Sequence, residues 1–327
     1  MKLSDILYIF ILISSIVIVF LSIYVDYRTF EEYNYIPLKI SKIKRPTYDI
    51  DCNLIIERDK NEINKAKQLL DKIRKWMRKD KIPLLNDQNY IFHYSECNLY
   101  RSLRKYNDLD DYIDKLEYNF PLAFIINADE NVEQFERFFR SIYRSHNFYC
   151  IQVNVRGSSI FRKSIQSIAN CFNNVFIISS VYMTWGEFSI LESQLNCMKD
   201  LRRFNGLDNK MKNNWKYLFN LKSDDFPLIN NYDLVKLLMF YNGANEVQII
   251  NGTIFTERFK YVYKLDENTN RLVKTDIIKA KPPHDYQIMK GQFNYVISRE
   301  FTDYLLTDSK VNDLIEWFNN TYAPYEM

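Results

Sequence analysis

Glycine is scarce in this chain of 327 residues: there are six, about a quarter of the ~7% share usual in proteins. They stand apart at Gly157, Gly186, Gly206, Gly243, Gly252 and Gly291. A dinucleotide fingerprint or a P-loop needs clustered glycines so that the backbone can approach a phosphate. Neither is present, so any nucleotide must be held by side chains or by ordinary loops. An excess of one charge is also missing. Lys and Arg number 44 against 41 Asp and Glu, a net +3, too even for the electrostatic footprint of a nucleic-acid binder. The three histidines (His93, His146, His284) are isolated. The five cysteines (Cys52, Cys97, Cys150, Cys171, Cys197) include no C-x-x-C pair. Zinc ligands come at close spacing, and no metal site is expected.

Aromatic residues are abundant, with 25 Tyr, 23 Phe and 4 Trp, enough to fill a sizeable core in a chain with room for about two domains. Residues 6–25 form an uncharged apolar run, about 30 Å long as a helix and so one hydrocarbon core thick. It ends without a small-residue cleavage site, which favours an uncleaved signal anchor over a signal peptide. The expected plan is a cytoplasmic tail at 1–5, the transmembrane anchor at 6–25, a stem at 26–48 and a lumenal body. Scattered cysteines in an oxidising lumen read as disulfides, and their odd number leaves one without a partner in this chain. Asn251 and Asn319 open the two N-glycosylation sequons.

Residues 59–81 are rich in Lys and Arg, with Ile63, Ala66, Leu69, Leu70, Ile73 and Trp76 at helical spacing. They predict an amphipathic surface helix within a helical lead-in region at 49–120. From residue 121 onward, apolar strands alternate with helices. Strands are expected at 121–128, 148–155, 174–182 and 215–221, with helices at 131–144, 158–172 and 187–203 between them. That alternation predicts an α/β domain at 121–327 with a largely parallel sheet. Ligands in such sheets sit beyond the carboxyl ends of the strands. Asp224-Asp225 follows the fourth strand, but adjacent side chains on an extended segment point opposite ways. A turn or helix cap explains them as well as a metal does. Glu326, read alone, is an exposed glutamate.

Longer words carry a resemblance. Asn147-Phe-Tyr-Cys-Ile-Gln-Val153, Ala169-Asn-Cys-Phe-Asn-Asn-Val-Phe176, Leu195-Asn-Cys-Met-Lys-Asp-Leu201 and Asn214-Trp-Lys-Tyr-Leu-Phe-Asn-Leu221 occur in that order. Asp225-Phe-Pro227, Ser298-Arg-Glu300 and Thr321-Tyr-Ala-Pro-Tyr-Glu326 follow. The sequence resembles the core-2/I-branching β-1,6-N-acetylglucosaminyltransferases, from about Cys52 onward and most densely from residue 121. The resemblance implies a GT-A-like fold and a single-pass type II protein of the Golgi membrane whose catalytic part is lumenal. It also implies an inverting, metal-independent transfer of N-acetylglucosamine from UDP-GlcNAc to O-glycan or polylactosamine acceptors in β-1,6 linkage. The donor is a substrate and no cofactor is expected.

The family's catalytic base matches Glu326. Its donor contacts fall on Ala128, Asp129, Glu130, Asn154, Arg156 and Trp185, and its acceptor contacts on Gln248 and Arg258. The implied disulfides join Cys97 to Cys171 and Cys150 to Cys197, leaving Cys52 unpaired. Asp225 matches a single aspartate of the family, not a D-x-D metal motif. Asp129 and Glu130 replace two rings of the family word by carboxylates, which would repel a diphosphate. Family members continue for roughly a hundred residues past the base, with cations that neutralise the leaving diphosphate. The chain as written is therefore expected to have little transferase activity. A lumenal pseudo-enzyme or binding module of the same fold, or a xylosyltransferase-like relative, are the alternative readings.

Overall fold

Four apolar stretches pair side by side because each can bury both of its faces. The computed structural model describes residues 50–77, 86–109, 113–129, 131–154, 157–178, 183–250, 255–266, 268–269 and 271–326. The expected tail, anchor and stem lie outside the described residues. The lead-in carries helices α1 (Cys52–Ile56), α2 (Lys60–Met77), α3 (Cys97–Leu103) and α4 (Lys115–Tyr118). The predicted helix over 59–81 is observed as α2 up to Met77, residues 78–81 lying outside the described residues, with Asp59 just before it accepting from the Glu62 N–H at 2.8 Å.

The sheet is built from β1 (Leu122–Ala128), β2 (Phe148–Val153), β3 (Val175–Ile178) and β4 (Tyr217–Lys222). Helices α5 (Val132–Ile142), α6 (Ser159–Ala169) and α7 (Phe188–Leu201) connect them. Strand order is β3-β2-β1-β4, all parallel, with β7 (Tyr295–Ser298) antiparallel on the β4 edge. The predicted parallel sheet is thus observed, with shifted element ends: β3 spans Val175–Ile178 while 179–182 lie outside the described residues, and α6 closes at Ala169, not at 172. Helix α5 stops at Ile142, not at 144, because the buried Tyr149 hydroxyl donates to the Ile142 carbonyl and accepts from the Arg144 N–H. Strand β2 ends at Val153, and residues 155–156 lie outside the described residues.

Alternation along β1 sorts the core into two layers, as strand geometry requires. Leu122, Phe124 and Ile126 join an aromatic layer with Phe135, Phe139, Tyr149 and Phe172, to which the lead-in adds Tyr100 and Tyr106. Ala123 and Ile125 face the other way, into a layer with Trp215, Leu201 and Ile297. Each layer is stitched by a disulfide: Cys97 to Cys171, and Cys150 to Cys197. These are the pairs the resemblance implies. Cys52 opens α1, and its side chain is outside the described residues.

After β4 come α8 (Asn231–Tyr241), α9 (Glu257–Lys260) and an antiparallel hairpin of β5 (Tyr261–Asp266) and β6 (Arg271–Ile278). The chain then passes through β7 to α10 (Arg299–Thr307) and α11 (Ser309–Phe318). A short turn at Pro324–Glu326 follows and places the Glu326 side chain against the molecule.

Candidate active site

The chain runs outward from β1 through β2 to β3, then returns to place β4 on the other side of β1. This makes the gap between β1 and β4 a topological switch point, where ligands of open α/β sheets bind. Two hydrogen bonds, one to a side-chain hydroxyl and one between backbone groups, join the two strand ends. The Asp129 N–H donates to Ser223 Oγ at 3.3 Å, and the Ser223 N–H donates to the Asn127 carbonyl at 3.0 Å. Ala128 is buried in the core and Asp129 is exposed beside it. At the end of β2, Asn154 Nδ2 donates to the Met183 carbonyl at 2.7 Å. Glu130 and Arg156 lie outside the described residues.

Asp225 acts as a turn cap. Its Oδ2 accepts from the Lys222 N–H at 2.7 Å and from Asn294 Nδ2 at 3.0 Å, while Asp224 is exposed. Strand β4 ends at Lys222 and Asp224 lies in the turn that follows, so the different surroundings of the two carboxylates come from that turn and not from the alternation of an extended segment.

Glu326 is not the exposed glutamate that its sequence alone suggests. Its Oε2 accepts from Arg258 Nη1 at 2.7 Å, and Lys290 Nζ stands 3.6 Å from the same oxygen. All three side chains are about a fifth exposed. One aromatic ring underlies both cations, with Phe255 centred 5.3 Å from the Arg258 guanidinium and 5.2 Å from Lys290 Nζ. Tyr322 closes the other side of Arg258 at 5.5 Å. A carboxylate so placed is oriented by a charge-assisted hydrogen bond yet still reaches solvent. Geometry of this kind suits a group that must accept a proton from a bound hydroxyl.

Two of the scarce glycines form the seat of this carboxylate. Gly186 has φ +85°, and a Cβ there would meet the Tyr322 ring at 3.0 Å. Its carbonyl accepts from the Ala323 N–H at 2.6 Å, and its N–H donates to the Tyr325 hydroxyl at 3.2 Å. Gly291 donates its N–H to the Glu326 carbonyl at 2.5 Å, and a Cβ there would press on the Gln248 carbonyl at 3.0 Å. Trp185, next to Gly186, stands edge-on to Tyr322 at 5.4 Å and is 69% exposed. Burial pushes the Tyr325 phenol up to about 12, against the lowering effect of the Gly186 N–H.

The structure therefore brings Glu326, Arg258, Trp185 and the Gln248 backbone into one neighbourhood. Asn154 connects to it through the loop of Met183, Trp185 and Gly186. Ala128 and Asp129 belong to the switch point. Asn251 lies outside the described residues, and Asn319 is exposed. Sequence reasoning missed Lys290, Phe255, Tyr322 and Tyr325. The family word ending at Glu326 contains Tyr322 and Tyr325, and Gly186 and Gly291 stand out in a chain poor in glycine, but neither signal pointed to Lys290 or Phe255.

Residues 122–327 match the family model described as Core-2/I-Branching enzyme. A human relative named beta-1,3-galactosyl-O-glycosyl-glycoprotein beta-1,6-N-acetylglucosaminyltransferase is 33% identical over 288 residues, covering 86% of this chain and 63% of the relative. A mouse relative of the same name, numbered 4, is 31% identical over 85% of this chain and 59% of its own length. A rat relative, numbered 3, is 32% identical over 85% of this chain and 60% of its own length. The chain thus spans about three fifths of the length of these curated relatives.

Proposed function

The chain belongs to the core-2/I-branching enzyme family, and from that premise we propose that its site transfers N-acetylglucosamine from UDP-GlcNAc to the 6-hydroxyl of an O-glycan acceptor, forming a β-1,6 linkage. The observation that carries this reading is the Glu326 carboxylate, fixed at 2.7 Å by Arg258 in a partly open, aromatic-walled seat. In the transfer, Glu326 takes the proton of the acceptor hydroxyl as that oxygen bonds to the anomeric carbon. The bond from the anomeric carbon to UDP breaks on the opposite face, so the configuration inverts. Arg258 orients the carboxylate and offers its remaining N–H groups to acceptor hydroxyls. Trp185 gives a sugar face an apolar surface. The names of the relatives specify a β-1,3-galactosyl O-glycan as acceptor, and we extend that class to this chain.

The same reading makes the reaction metal-independent and assigns Asp225 to turn capping, in keeping with its bonds to Lys222 and Asn294. It places the protein in the Golgi membrane, type II, with residues 6–25 as the anchor and the catalytic part lumenal. Two disulfides, one within the α/β domain and one tying the lead-in to it, suit an oxidising compartment.

The test uses the protein at the full length its transcript encodes. It is incubated with UDP-GlcNAc or UDP-xylose and a galactosyl-β-1,3-N-acetylgalactosamine glycoside, without and with chelator. The reading expects a β-1,6-linked GlcNAc product, unaffected by chelation and absent with UDP-xylose. A xylosylated product, another linkage or chelator-sensitive turnover would overturn it.

A further inference from the structure

The segment that carries Glu326 adopts a backbone that its own residues disfavour. Asn320 and Ala323 both have left-handed φ, at +66° and +51°. Asn tolerates this region, but for Ala the Cβ crowds the backbone carbonyl and disfavours it. A strained segment persists only where its surroundings over-determine it. Here the surroundings are the Gly186 carbonyl, which accepts from the Ala323 N–H at 2.6 Å, together with the β5–β6 hairpin and the short helix before it. The Tyr263 N–H on β5 donates to the Asn320 carbonyl at 2.9 Å, and the Tyr322 N–H donates to the Arg258 carbonyl at 3.1 Å.

One side chain does the rest. Lys279, directly after β6, donates from Nζ to the Asn319 carbonyl at 2.7 Å and to Thr321 Oγ1 at 2.5 Å. The same Nζ lies 4.5 Å from the centre of the Trp317 ring. Trp317 is fixed in turn, its Nε1 donating to the Ala280 carbonyl at 2.9 Å. The Lys279 N–H donates to the Lys260 carbonyl at 2.9 Å, so its backbone is locked to the start of the hairpin. Two carbonyl or hydroxyl acceptors and one ring thus take up the ammonium.

We propose that Lys279 is a positioning residue for Glu326. It pins the start of the 319–326 segment to the same structural unit whose Arg258 holds the carboxylate at the segment's end. Both ends of the segment are then referenced to one rigid body, and the strained residues between them cannot relax to ordinary backbone. Burial lowers the Lys279 ammonium to about 8, with no described carboxylate to offset it. Below that pH all three N–H donors are present and charged. The role rests on the reading of Glu326 as the base, but the pinning itself does not.

The test has a physical and a chemical arm, both on the full-length protein. Hydrogen exchange at pH 7 reads the amides of Tyr322 and Glu326 in wild type, Lys279→Met and Lys279→Arg. Lys279→Met is expected to lose roughly tenfold in protection at these amides, with β1 and β4 unchanged, and Lys279→Arg to recover most of it. In the transfer assay, Lys279→Met is expected to lower kcat about tenfold while the KM for UDP-GlcNAc stays within about twofold, again with recovery in Lys279→Arg. Should Lys279→Met fail to fold, Thr321→Val in glycan-free protein removes one acceptor and is expected to lower protection about threefold. Unchanged protection in a folded Lys279→Met or Thr321→Val protein overturns the proposal, as does lost protection with unchanged kcat. If wild type itself transfers nothing, the functional reading fails, and the exchange arm still decides whether Lys279 pins the segment.

Discussion

Arg258 Nη1 donates to Glu326 Oε2 at 2.7 Å across 68 residues of sequence, and this contact organises the candidate site. Both side chains are partly buried, so their ion pair is less screened than a surface one. Arg258→Lys keeps a cation but loses the planar fork that fixes the carboxylate. Its expected effect is a fall in kcat of about 10- to 100-fold, consistent with lost orientation. Steady-state kinetics with acceptor varied checks this, and a variant with wild-type kcat contradicts it.

Gly186→Ala should damage the seat without touching Glu326. The position has φ +85°, and its new methyl would meet the Tyr322 ring at 3.0 Å. The backbone penalty and the displaced ring together should cost roughly 1–3 kcal/mol. A lowered thermal midpoint with loss of transfer is expected. Gly243→Ala serves as the control for backbone strain alone, because φ there is +93° and nothing lies within 4 Å of a Cβ.

The disulfide between Cys97 and Cys171 closes a loop of 74 residues and ties the lead-in to the end of α6. Removing such a crosslink commonly costs about 2–5 kcal/mol. The Cys97→Ser, Cys171→Ser double variant should show that loss in denaturant unfolding. An unchanged midpoint would mean that the aromatic contacts of Tyr100 and Tyr106 with Phe172 hold the lead-in unaided.

Alkaline pH should loosen the fold through buried phenols. Burial raises the Tyr325 pKa from 10 to about 12, and Tyr149 and Tyr295 are also raised by burial. A phenol raised in the folded state contributes stability that is complete below its unfolded pKa and disappears as pH rises through the folded one. Stability is therefore expected to fall from about pH 10 upward. Tyr325→Phe should flatten part of that slope above pH 10, measured by denaturant unfolding at fixed pH. An identical slope in the variant contradicts the assignment.

The parts legible in sequence were those whose signal is local. The β1 stretch Leu122–Ala128 is apolar at six of its seven residues and buried on both faces, so composition alone shows it as a strand. The same holds for β2 and for the aromatic stripe of α5, with Phe135, Phe138 and Phe139 all buried. The β5–β6 hairpin left no such trace, because β5 is only half-buried, β6 is largely exposed, and both mix Lys, Asp or Thr with apolar residues. The seat of Glu326 is a meeting of segments separated by up to 139 residues, as in the Gly186 to Tyr325 hydrogen bond. Periodicity carries no information about such a meeting. The matched family word pointed to Glu326, but Lys290 and Lys279 act through contacts that only the folded chain brings together.

If Glu326 is the proton acceptor, neutralising its carboxylate nearly abolishes transfer without displacing the donor. Wild type and Glu326→Gln, both at full transcript length, are assayed for GlcNAc transfer to the galactosyl-β-1,3-N-acetylgalactosamine acceptor, with UDP-GlcNAc binding measured by calorimetry. Loss of a general base commonly costs 10²–10⁴-fold. The expected result is a fall in kcat of about that size, with donor affinity within about threefold of wild type. A Glu326→Gln protein that binds donor and transfers at the wild-type rate would contradict the central claim.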